Sequence, residues 1–280
     1  MRPLIFTDLD GSLLSHDNYD WSPARGLLNS LQKKNIPVIP NTSKTHSELI
    51  ALTANIPLSR HHIIENGAGA FLSKKLLGEA DSNAIASCTS FDDTYWLIPF
   101  ANDRLRLKGQ IKKQITHQSL RAFTDLSPTE VMHLTGLTYS EAILSQDRLF
   151  SEPLTVVDEK KCETDIQLLE AIGLSIVKGG RLLHPFDTKD TDYNKGTAMQ
   201  WMLNFFSRLH QEKFISIAIG DADNDRPMLE AADFSIVIPN HKHAPLKLTK
   251  QDGVFYATES ASKGWHQGVS HVLNALGIKE

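Results

Sequence analysis

The chain has 280 residues, of which 41% are hydrophobic, and a formal net charge of −4 at pH 7. This length is typical of one large domain or two moderate ones, and the hydrophobic fraction is enough for a sizeable core. The weakly acidic balance indicates no nucleic-acid or anionic-membrane partner. No apolar run is near the roughly 20 residues that cross a bilayer. Because there is also no room for a signal peptide before Asp8, a cytoplasmic location is expected.

The N-terminal segment alternates short apolar runs with helical patterns. The predicted strands are apolar runs at residues 4–8, 37–39 and 62–65. The predicted helices begin at N-capping signals, namely Ser22-Pro23 and the capping box Thr45-x-x-Glu48. Strands that alternate with helices in this way are typical of parallel βαβ units.

The same alternation returns in the C-terminal segment. Strands are predicted at residues 214–219 and 234–238, and helices after Asn194, over 224–232 and over 265–276. The strand at 214–219 is apolar nearly throughout, as expected of a central parallel strand. The two segments together predict an α/β core with a parallel sheet, formed by residues 1–76 and 187–280.

The intervening residues 77–186 are too many for a structureless connection, since loops beyond about 15 residues are uncommon in compact domains. Helices are predicted at residues 104–116, from Ser127-Pro128, and at 160–172. Two strands at 174–178 and 181–184 are predicted to form a hairpin that turns at Gly179-Gly180. This pattern predicts an inserted α+β domain.

A pair of carboxylates, Asp8 and Asp10, directly follows the first predicted strand. In open α/β sheets, ligands bind beyond the carboxyl ends of the strands. Two carboxylates at such a place can divide the work, one as nucleophile and metal ligand, the other as acid and then base. A solvated acidic turn is the alternative, and the D-x-D pattern alone does not exclude it.

A second acidic cluster, residues 220–225, follows the predicted strand at 214–219. Its carboxylates repel one another unless a cation lies between them, and Mg²⁺ prefers such oxygen ligands. Asp221 at the strand end fits this metal role. Asp223 fits the alternative, an acidic residue at a helix N-terminus.

The two clusters together resemble the haloacid dehalogenase superfamily, whose pattern is D-x-D-x-[TS], a Ser or Thr after the second strand, a Lys, and G-D-x-x-N-D. Thr42 follows the second predicted strand, with Ser43 as the alternative, and Lys195 opens a predicted helix, with Lys189 as the alternative. The resemblance implies a Rossmann-like core with an inserted α+β cap of the type IIB kind at residues 77–186.

The resemblance also implies a mechanism. Asp8 attacks phosphorus and forms an aspartyl phosphate, while Asp10 protonates the leaving oxygen and then deprotonates water. Mg²⁺ is the implied cofactor, held by Asp8, the backbone carbonyl of Asp10, and Asp221. Thr42 and Lys195 bind the transferring phosphoryl oxygens, where charge spreads in the transition state. Two further residues are implied to order metal-bound water and the lysine, Asn224 and Asp225.

Over essentially the whole chain, the sequence is similar to mannosyl-3-phosphoglycerate phosphatases. The segments that carry this similarity are residues 6–14, 42–45, 65–68, 135–137, 148–153 and 180–184. Ser12 replaces the commoner Thr, and Leu149 replaces a common Glu. The similarity implies a small phosphorylated metabolite as substrate, mannosyl-3-phosphoglycerate, hydrolysed to mannosylglycerate and phosphate.

Such a substrate carries a phosphate, a carboxylate and a sugar. Basic side chains suit the carboxylate, and the candidates are Arg148, Lys178 and Arg181. Polar side chains suit the sugar hydroxyls, and the candidates are Ser151, Glu152 and His184. Asn66 and Gly67, at the end of the third predicted strand, are candidates to line the substrate site. For the basic and polar candidates, the alternative is that they are solvated side chains beside a surface hairpin. For Asn66 and Gly67, the alternative is a simple turn.

Other functions stay open at this point. The substrate can be the glucosyl analogue or another sugar phosphate, because a pocket for one hydroxyl epimer does not show in a sequence. A phosphomutase would return the phosphoryl group to a sugar. A non-catalytic binding protein on the same fold would be expected to lack one of the catalytic carboxylates, and both Asp8 and Asp10 are present. The sequence does not indicate an oligomeric state.

Overall fold

The structure is a computed structural model, and it describes residues 2–15, 18–77, 88–179, 182–187, 193–240 and 246–279. The strands are β1 Arg2–Thr7, β2 Val38–Pro40, β3 His62–Ile64, β4 Gly69–Ser73, β5 Thr89–Ser90, β6 Tyr95–Pro99, β7 Leu120–Ala122, β8 Leu154–Val156, β9 Leu174–Gly179, β10 Leu182–Asp187, β11 Phe214–Gly220, β12 Phe234–Val237 and β13 Val254–Tyr256. The helices are α1 Arg25–Lys33, α2 His46–Leu52, α3 Lys74–Leu77, α4 Arg104–Gln114, α5 Pro128–Thr135, α6 Tyr139–Gln146, α7 Cys162–Ala171, α8 Lys195–His210, α9 Arg226–Ala231 and α10 Ala261–Ala275. Among these described helices, none has both the length and the apolar character needed to cross a membrane.

The parallel sheet has the strand order β13-β12-β11-β1-β2. β1 lies between β2 and β11, and Thr7 at its end is in register with both Pro40 and Ile219. Phe6 and Ile217 are fully buried, as expected of strands covered on both faces. The predicted α/β fold with a parallel sheet is confirmed, and the register brings the carboxyl ends of three strands to one edge.

The predicted strand at residues 62–65 is confirmed as β3, but its main partner differs from the prediction. β3 pairs antiparallel with β4 in a sheet of order β3-β4-β6-β5. The reversal occurs in residues 65–67, where three successive residues have positive φ angles of 49°, 62° and 92°. β4 was not predicted, although its five residues are all buried, because a short apolar run does not reveal its pairing partner.

Contacts divide the chain into two compact units. The first comprises Met1–Ser43, Asn55–Ile98 and Tyr193–Glu280, and the second comprises Lys44–Ala54 and Pro99–Asp192. These limits differ from the predicted insertion at 77–186, because β6 shares a sheet with β4 and α2 packs on α6. The functional boundary between core and cap stays a prediction.

The second unit contains an antiparallel sheet of order β7-β8-β10-β9. Its core packs helices α4 and α7 on this sheet through Leu107, Leu154 and Leu169. The predicted hairpin is confirmed with a shifted turn: β9 continues through Gly179, which lies opposite Leu182. Gly180 lies outside the described residues.

Helix starts in the second unit follow the predicted capping signals. The capping boxes of α2, at Thr45 and Glu48, and of α5, at Ser127 and Glu130, both form, which confirms the two predicted starts. Helix α6 has a third such box at Thr138 and was not predicted. At Ser22, by contrast, the chain first makes a 3-10 turn, so α1 begins at Arg25 without a side-chain cap.

One buried histidine in the first unit gives the fold a dependence on pH. The Nδ1 atom of His61 accepts the backbone N–H of Ser73 at 3.1 Å, and its ring packs edge-on against Phe206. Burial, with a smaller contribution from the charge of His210, lowers the pKa of His61 to about 4. As the pH falls below about 6.5, the unfolded chain binds a proton that the folded chain excludes, so stability is lost between about pH 6.5 and pH 4.

We expect His61→Asn to remove this dependence while its side-chain oxygen still accepts the Ser73 N–H. Between pH 7.5 and pH 5, the free energy of unfolding of the parent protein should fall by about 2 kcal/mol more than that of the variant. Urea unfolding at the two pH values measures the difference. Equal decreases in both proteins would show that His61 takes up its proton equally well in the folded and unfolded states.

Candidate active site

Three strand ends meet at one edge of the parallel sheet. Asp8 follows β1, Thr42 lies two residues after β2, and Asp221 follows β11. All three are buried, with Asp8 only 6% exposed. The backbone N–H of Asp8 donates to the carbonyl of Ile219 at 2.9 Å, so the sheet itself fixes where this carboxylate emerges.

Lys195 occupies the centre of the site. It is the first residue of α8, whose N-cap Asn194 accepts the backbone N–H groups of Gly196 and Thr197. Its ammonium is completely buried and donates to Oδ1 of Asp8 and to Oδ1 of Asp225, each at 2.6 Å. The capped start of α8 therefore places the Lys195 ammonium beside the predicted nucleophile, Asp8.

The charges around this lysine are unbalanced. Burial raises the pKa of Asp8 well above its ordinary value; Lys195 lowers it, and the charges of Asp225, Asp221 and Asp10 raise it further. Burial lowers the pKa of Lys195, but the carboxylates of Asp225 and Asp8 outweigh burial and leave this pKa above its ordinary value. One ammonium thus faces several carboxylates, and the excess negative charge favours a further cation.

Asp225 is held on both of its oxygens. Oδ1 accepts from Lys195, and Oδ2 accepts the backbone N–H groups of Asp221 and Ala222 at 3.0 and 3.1 Å. This carboxylate therefore fixes the loop after β11 as well as the lysine. The contact of Asp225 with Lys195 is observed, while its predicted role of ordering metal-bound water stays a prediction.

Asp221 is held by two polar side chains. The Ser12 hydroxyl donates to Oδ1 at 3.0 Å, and the Asn240 amide donates to Oδ2 at 2.5 Å. Asn240 was not among the predicted residues. Its position shortly after the predicted strand at 234–238 was the available signal, because that strand ends at the same edge of the sheet.

A second polar residue that was not predicted, Asn41, lies directly after β2. It is fully buried, and its side-chain amide donates to the backbone carbonyl of Lys195 at 2.9 Å. Asn41 therefore ties the second strand end to the start of α8. Thr42 is also fully buried, whereas Ser43 is partly exposed; the predicted contact between Thr42 and a phosphoryl group stays a prediction.

The acidic residues have the composition of a metal site. Asp8, Asp221 and Asp225 each offer a carboxylate oxygen, and these oxygens lie within 4.8 Å of one another. Asp10 lies near enough for its charge to raise the pKa of Asp8. Oxygen donors with excess negative charge are what Mg²⁺ requires, so these residues fit that cation. Asp8 and Asp221 are the ligands that the sequence predicts, and Asp225 is a third carboxylate within the same distance.

The loop at residues 65–67 lies against this site. The side chain of Asn66 accepts from the Asn224 amide at 3.0 Å, and its backbone N–H donates to the carbonyl of Thr42 at 2.9 Å. A Cβ atom at Gly67 would lie 2.3 Å from the carbonyl of Asn194. These contacts assign Asn66 and Gly67 a place beside the predicted catalytic residues, while their predicted contact with substrate stays a prediction.

The predicted cap residues lie in the second unit, and one of them has a structural role there. Glu152 is completely buried, and its carboxylate accepts from Arg104 at 2.9 Å and from the Thr124 hydroxyl at 2.7 Å. These partners and the Thr124 backbone N–H bind both of its oxygens, so Glu152 joins separate segments of this unit; its predicted contact with a sugar hydroxyl stays a prediction.

For the other predicted cap residues, contact with substrate stays a prediction. The Arg148 guanidinium donates to the Ser151 hydroxyl at 2.9 Å, so these two predicted residues lie together. His184 is partly buried on β10, opposite Val177. The side chain of Lys178, and Arg181 as a whole, lie outside the described residues, as does Lys189.

Known proteins are similar to this chain in sequence and in fold. A profile of the haloacid dehalogenase-like hydrolase family matches residues 186–251, the segment that contains Lys195 and the second acidic cluster. A phosphatase of the same superfamily from Bacteroides thetaiotaomicron has a TM-score of 0.63 to this chain at 18% identity, over 100% of this chain and 96% of that structure. At this identity, the likeness concerns the fold.

Two relatives are similar over nearly their whole length. The glucosyl-3-phosphoglycerate/mannosyl-3-phosphoglycerate phosphatase of Persephonella marina is 33% identical over 98% of both chains. The protein of the same name from Methanococcoides burtonii is 30% identical, again over 98% of both. With its acid clusters and buried lysine in place, the chain belongs to the glucosyl-3-phosphoglycerate/mannosyl-3-phosphoglycerate phosphatase family, phosphoric monoester hydrolases of the haloacid dehalogenase superfamily.

Proposed function

We propose that this protein is a cytoplasmic, Mg²⁺-dependent phosphatase that hydrolyses mannosyl-3-phosphoglycerate to mannosylglycerate and phosphate through an aspartyl-phosphate intermediate. The observation that carries the proposal is the buried contact of 2.6 Å between Lys195 and Asp8 at the end of β1. A buried carboxylate paired with an ammonium and surrounded by further carboxylates is suited to phosphoryl transfer, where positioning and electrostatics supply most of the catalysis.

In the proposed reaction, an oxygen of Asp8 attacks the phosphorus in line with the leaving oxygen. Asp10, which is partly exposed, protonates the leaving alkoxide and later takes a proton from the water that hydrolyses the aspartyl phosphate. Lys195 and Thr42 bind phosphoryl oxygens as charge accumulates on them. Mg²⁺, held by Asp8, the Asp10 carbonyl and Asp221, would reduce the repulsion between the nucleophile and an anionic substrate.

The substrate assignment is supported by the names of the two relatives, which include both the glucosyl and the mannosyl compound. The glucosyl compound is therefore the nearest alternative substrate. Among the described residues, the pair formed by Arg148 and Ser151 is the best candidate to bind the glycerate carboxylate, because a guanidinium matches the geometry of a carboxylate.

The test is phosphate release in the presence of Mg²⁺ from a panel of substrates: mannosyl- and glucosyl-3-phosphoglycerate, 3-phosphoglycerate, mannose 6-phosphate and sucrose 6-phosphate. We expect kcat/KM for one or both glycosyl-3-phosphoglycerates to exceed that for the other compounds by at least about 100-fold, since a site built for polar groups rejects analogues that lack them. In excess chelator, release should stop, and added Mg²⁺ should restore it.

Each part of the proposal has its own contrary result. Comparable turnover of simple sugar phosphates would overturn the substrate assignment and leave the Asp8 chemistry. Full activity in excess chelator would overturn the metal requirement. An isomerised hexose phosphate without free phosphate would identify a mutase.

A further inference from the structure

A chain of buried hydrogen bonds leads from the C-terminal helix to the predicted nucleophile. The indole Nε1 of Trp265 in α10 donates to the Thr7 hydroxyl at 3.0 Å, and that hydroxyl donates to the backbone carbonyl of Asp8 at 2.6 Å. Trp265 and Thr7 are both fully buried. The directions follow from the chemistry, because an indole N–H is only a donor and the hydroxyl has a single proton to give.

The carbonyl of Asp8 needs such a partner because of where β1 ends. The parallel ladder ends at Thr7, which pairs with Ile219 and Pro40. The N–H of Asp8 still donates to the carbonyl of Ile219, whereas its own carbonyl accepts from the Thr7 hydroxyl. Asp8 is thus held at its N–H, at its carbonyl and, through Lys195, at its carboxylate.

The Trp265 end of this series of hydrogen bonds is rigidly placed. Helix α10 packs closely on β12, where a Cβ atom at Gly268 would lie 2.2 Å from a methyl carbon of Ile236. Near the start of the helix, the Ser262 hydroxyl donates to the carbonyl of Asp20 at 3.2 Å. A buried indole on a helix fixed in this way holds its N–H at a defined point.

We infer that Thr7 and Trp265 are positioning residues, which hold the Asp8 peptide so that its carboxylate is aligned for attack on phosphorus. This inference rests on the proposed function, since alignment matters only if Asp8 is the nucleophile. Neither residue contacts the Asp8 carboxylate in the described hydrogen bonds, so their effect passes through the backbone. Misplacement of a reacting group by about 1 Å can cost roughly 100-fold in rate.

The test uses the full-length protein with Mg²⁺ and the best substrate of the panel. Thr7→Val keeps the shape of the side chain and removes the hydroxyl, and we expect kcat to fall by about 10- to 100-fold with KM within about twofold of the parent value. Thr7→Ser keeps the hydroxyl and should retain kcat within about threefold. Thr7→Val also leaves the Trp265 N–H buried without its partner, which costs stability. The melting temperature of the Thr7→Val protein should therefore fall by about 2–4 °C.

The double variant Thr7→Val/Trp265→Phe separates positioning from stability. It removes both polar partners, so the unpaired N–H disappears, but the hydrogen bond to the Asp8 carbonyl stays lost. We expect kcat to stay at the low value of Thr7→Val or below it, even where the melting temperature recovers. A kcat that recovers together with the melting temperature, or an unchanged kcat in Thr7→Val, would overturn this inference alone. A parent protein that releases no phosphate from any substrate would overturn the proposed function, and this inference with it.

Discussion

Replacing Asp8 by Asn should reduce kcat by at least about 10⁴-fold, because loss of a nucleophile has effects of this order in enzymes with covalent intermediates. An amide has nearly the same shape as a carboxylate but is not a competent nucleophile towards phosphorus. The amide oxygen can still accept a hydrogen bond from Lys195, which also keeps its contact with Asp225 at 2.6 Å. The change therefore removes the reacting group and leaves the surrounding contacts.

The fold of Asp8→Asn should be intact. The amide occupies the same space, and Lys195 keeps its buried ion pair with Asp225 at 2.6 Å, so the substitution does not leave the ammonium without a carboxylate. We expect the melting temperature to stay within a few degrees of the parent value, measured by circular dichroism beside the steady-state phosphate assay.

A matched control is Asp223→Asn, the same chemical change in the second acidic cluster. The Asp223 side chain is 86% exposed and pairs with Arg226 on the surface, and exposed pairs of this kind contribute little. Its kcat should stay within about twofold of the parent value. Substantial turnover by Asp8→Asn, with the control active, would remove Asp8 from the role of nucleophile.

The position of the site could be predicted from sequence because its chemistry lies at strand ends. Asp8 and Asp221 each follow an apolar run, and parallel strands bring their carboxyl ends to one edge of a sheet. The predicted edge is confirmed by the register of Thr7 with Ile219. An apolar run followed directly by an acidic residue occurs at both strands, and this local pattern was enough to predict where the site lies.

The residues that support the site could not be predicted in the same way. Asn41 and Asn240 are single polar residues after strands, where asparagine is common for reasons of turn geometry alone. What distinguishes them is contact with Lys195 and Asp221, which depends on segments far away in the chain. The partner of β3 escaped prediction for the same reason, since pairing is decided between segments and not within one.

Glu152 has a structural partner that the sequence does not reveal. Its predicted contact is with a substrate hydroxyl, and its carboxylate is also completely buried against Arg104, 48 residues away. A buried carboxylate is stable only where donors satisfy it, and the sequence near Glu152 does not contain Arg104. Conversely, the capping boxes were predicted correctly because both partners lie within four residues of each other.

Replacing Lys195 by Met should affect both activity and stability. Met has a similar length without the charge, so the variant leaves the carboxylates of Asp8 and Asp225 buried without the ammonium that contacts both at 2.6 Å. Removing one partner of a buried ion pair typically costs about 3–5 kcal/mol. The loss of a cation that faces the transferring phosphoryl group should lower kcat by about 10³-fold or more.

Two further variants separate these effects, with urea unfolding and phosphate release measured for each. Lys263→Met, the same change at an exposed position of α10, should leave both quantities nearly unchanged. Lys195→Met/Asp225→Asn removes a positive and a negative charge together, and should recover part of the lost stability because fewer uncompensated carboxylates stay buried. Its kcat should stay as low as that of Lys195→Met, since a balanced interior does not restore the cation beside Asp8. If kcat instead rose in parallel with stability, Lys195 would be a structural residue that holds the carboxylates apart, and the stabilisation of phosphoryl charge would have to come from another group.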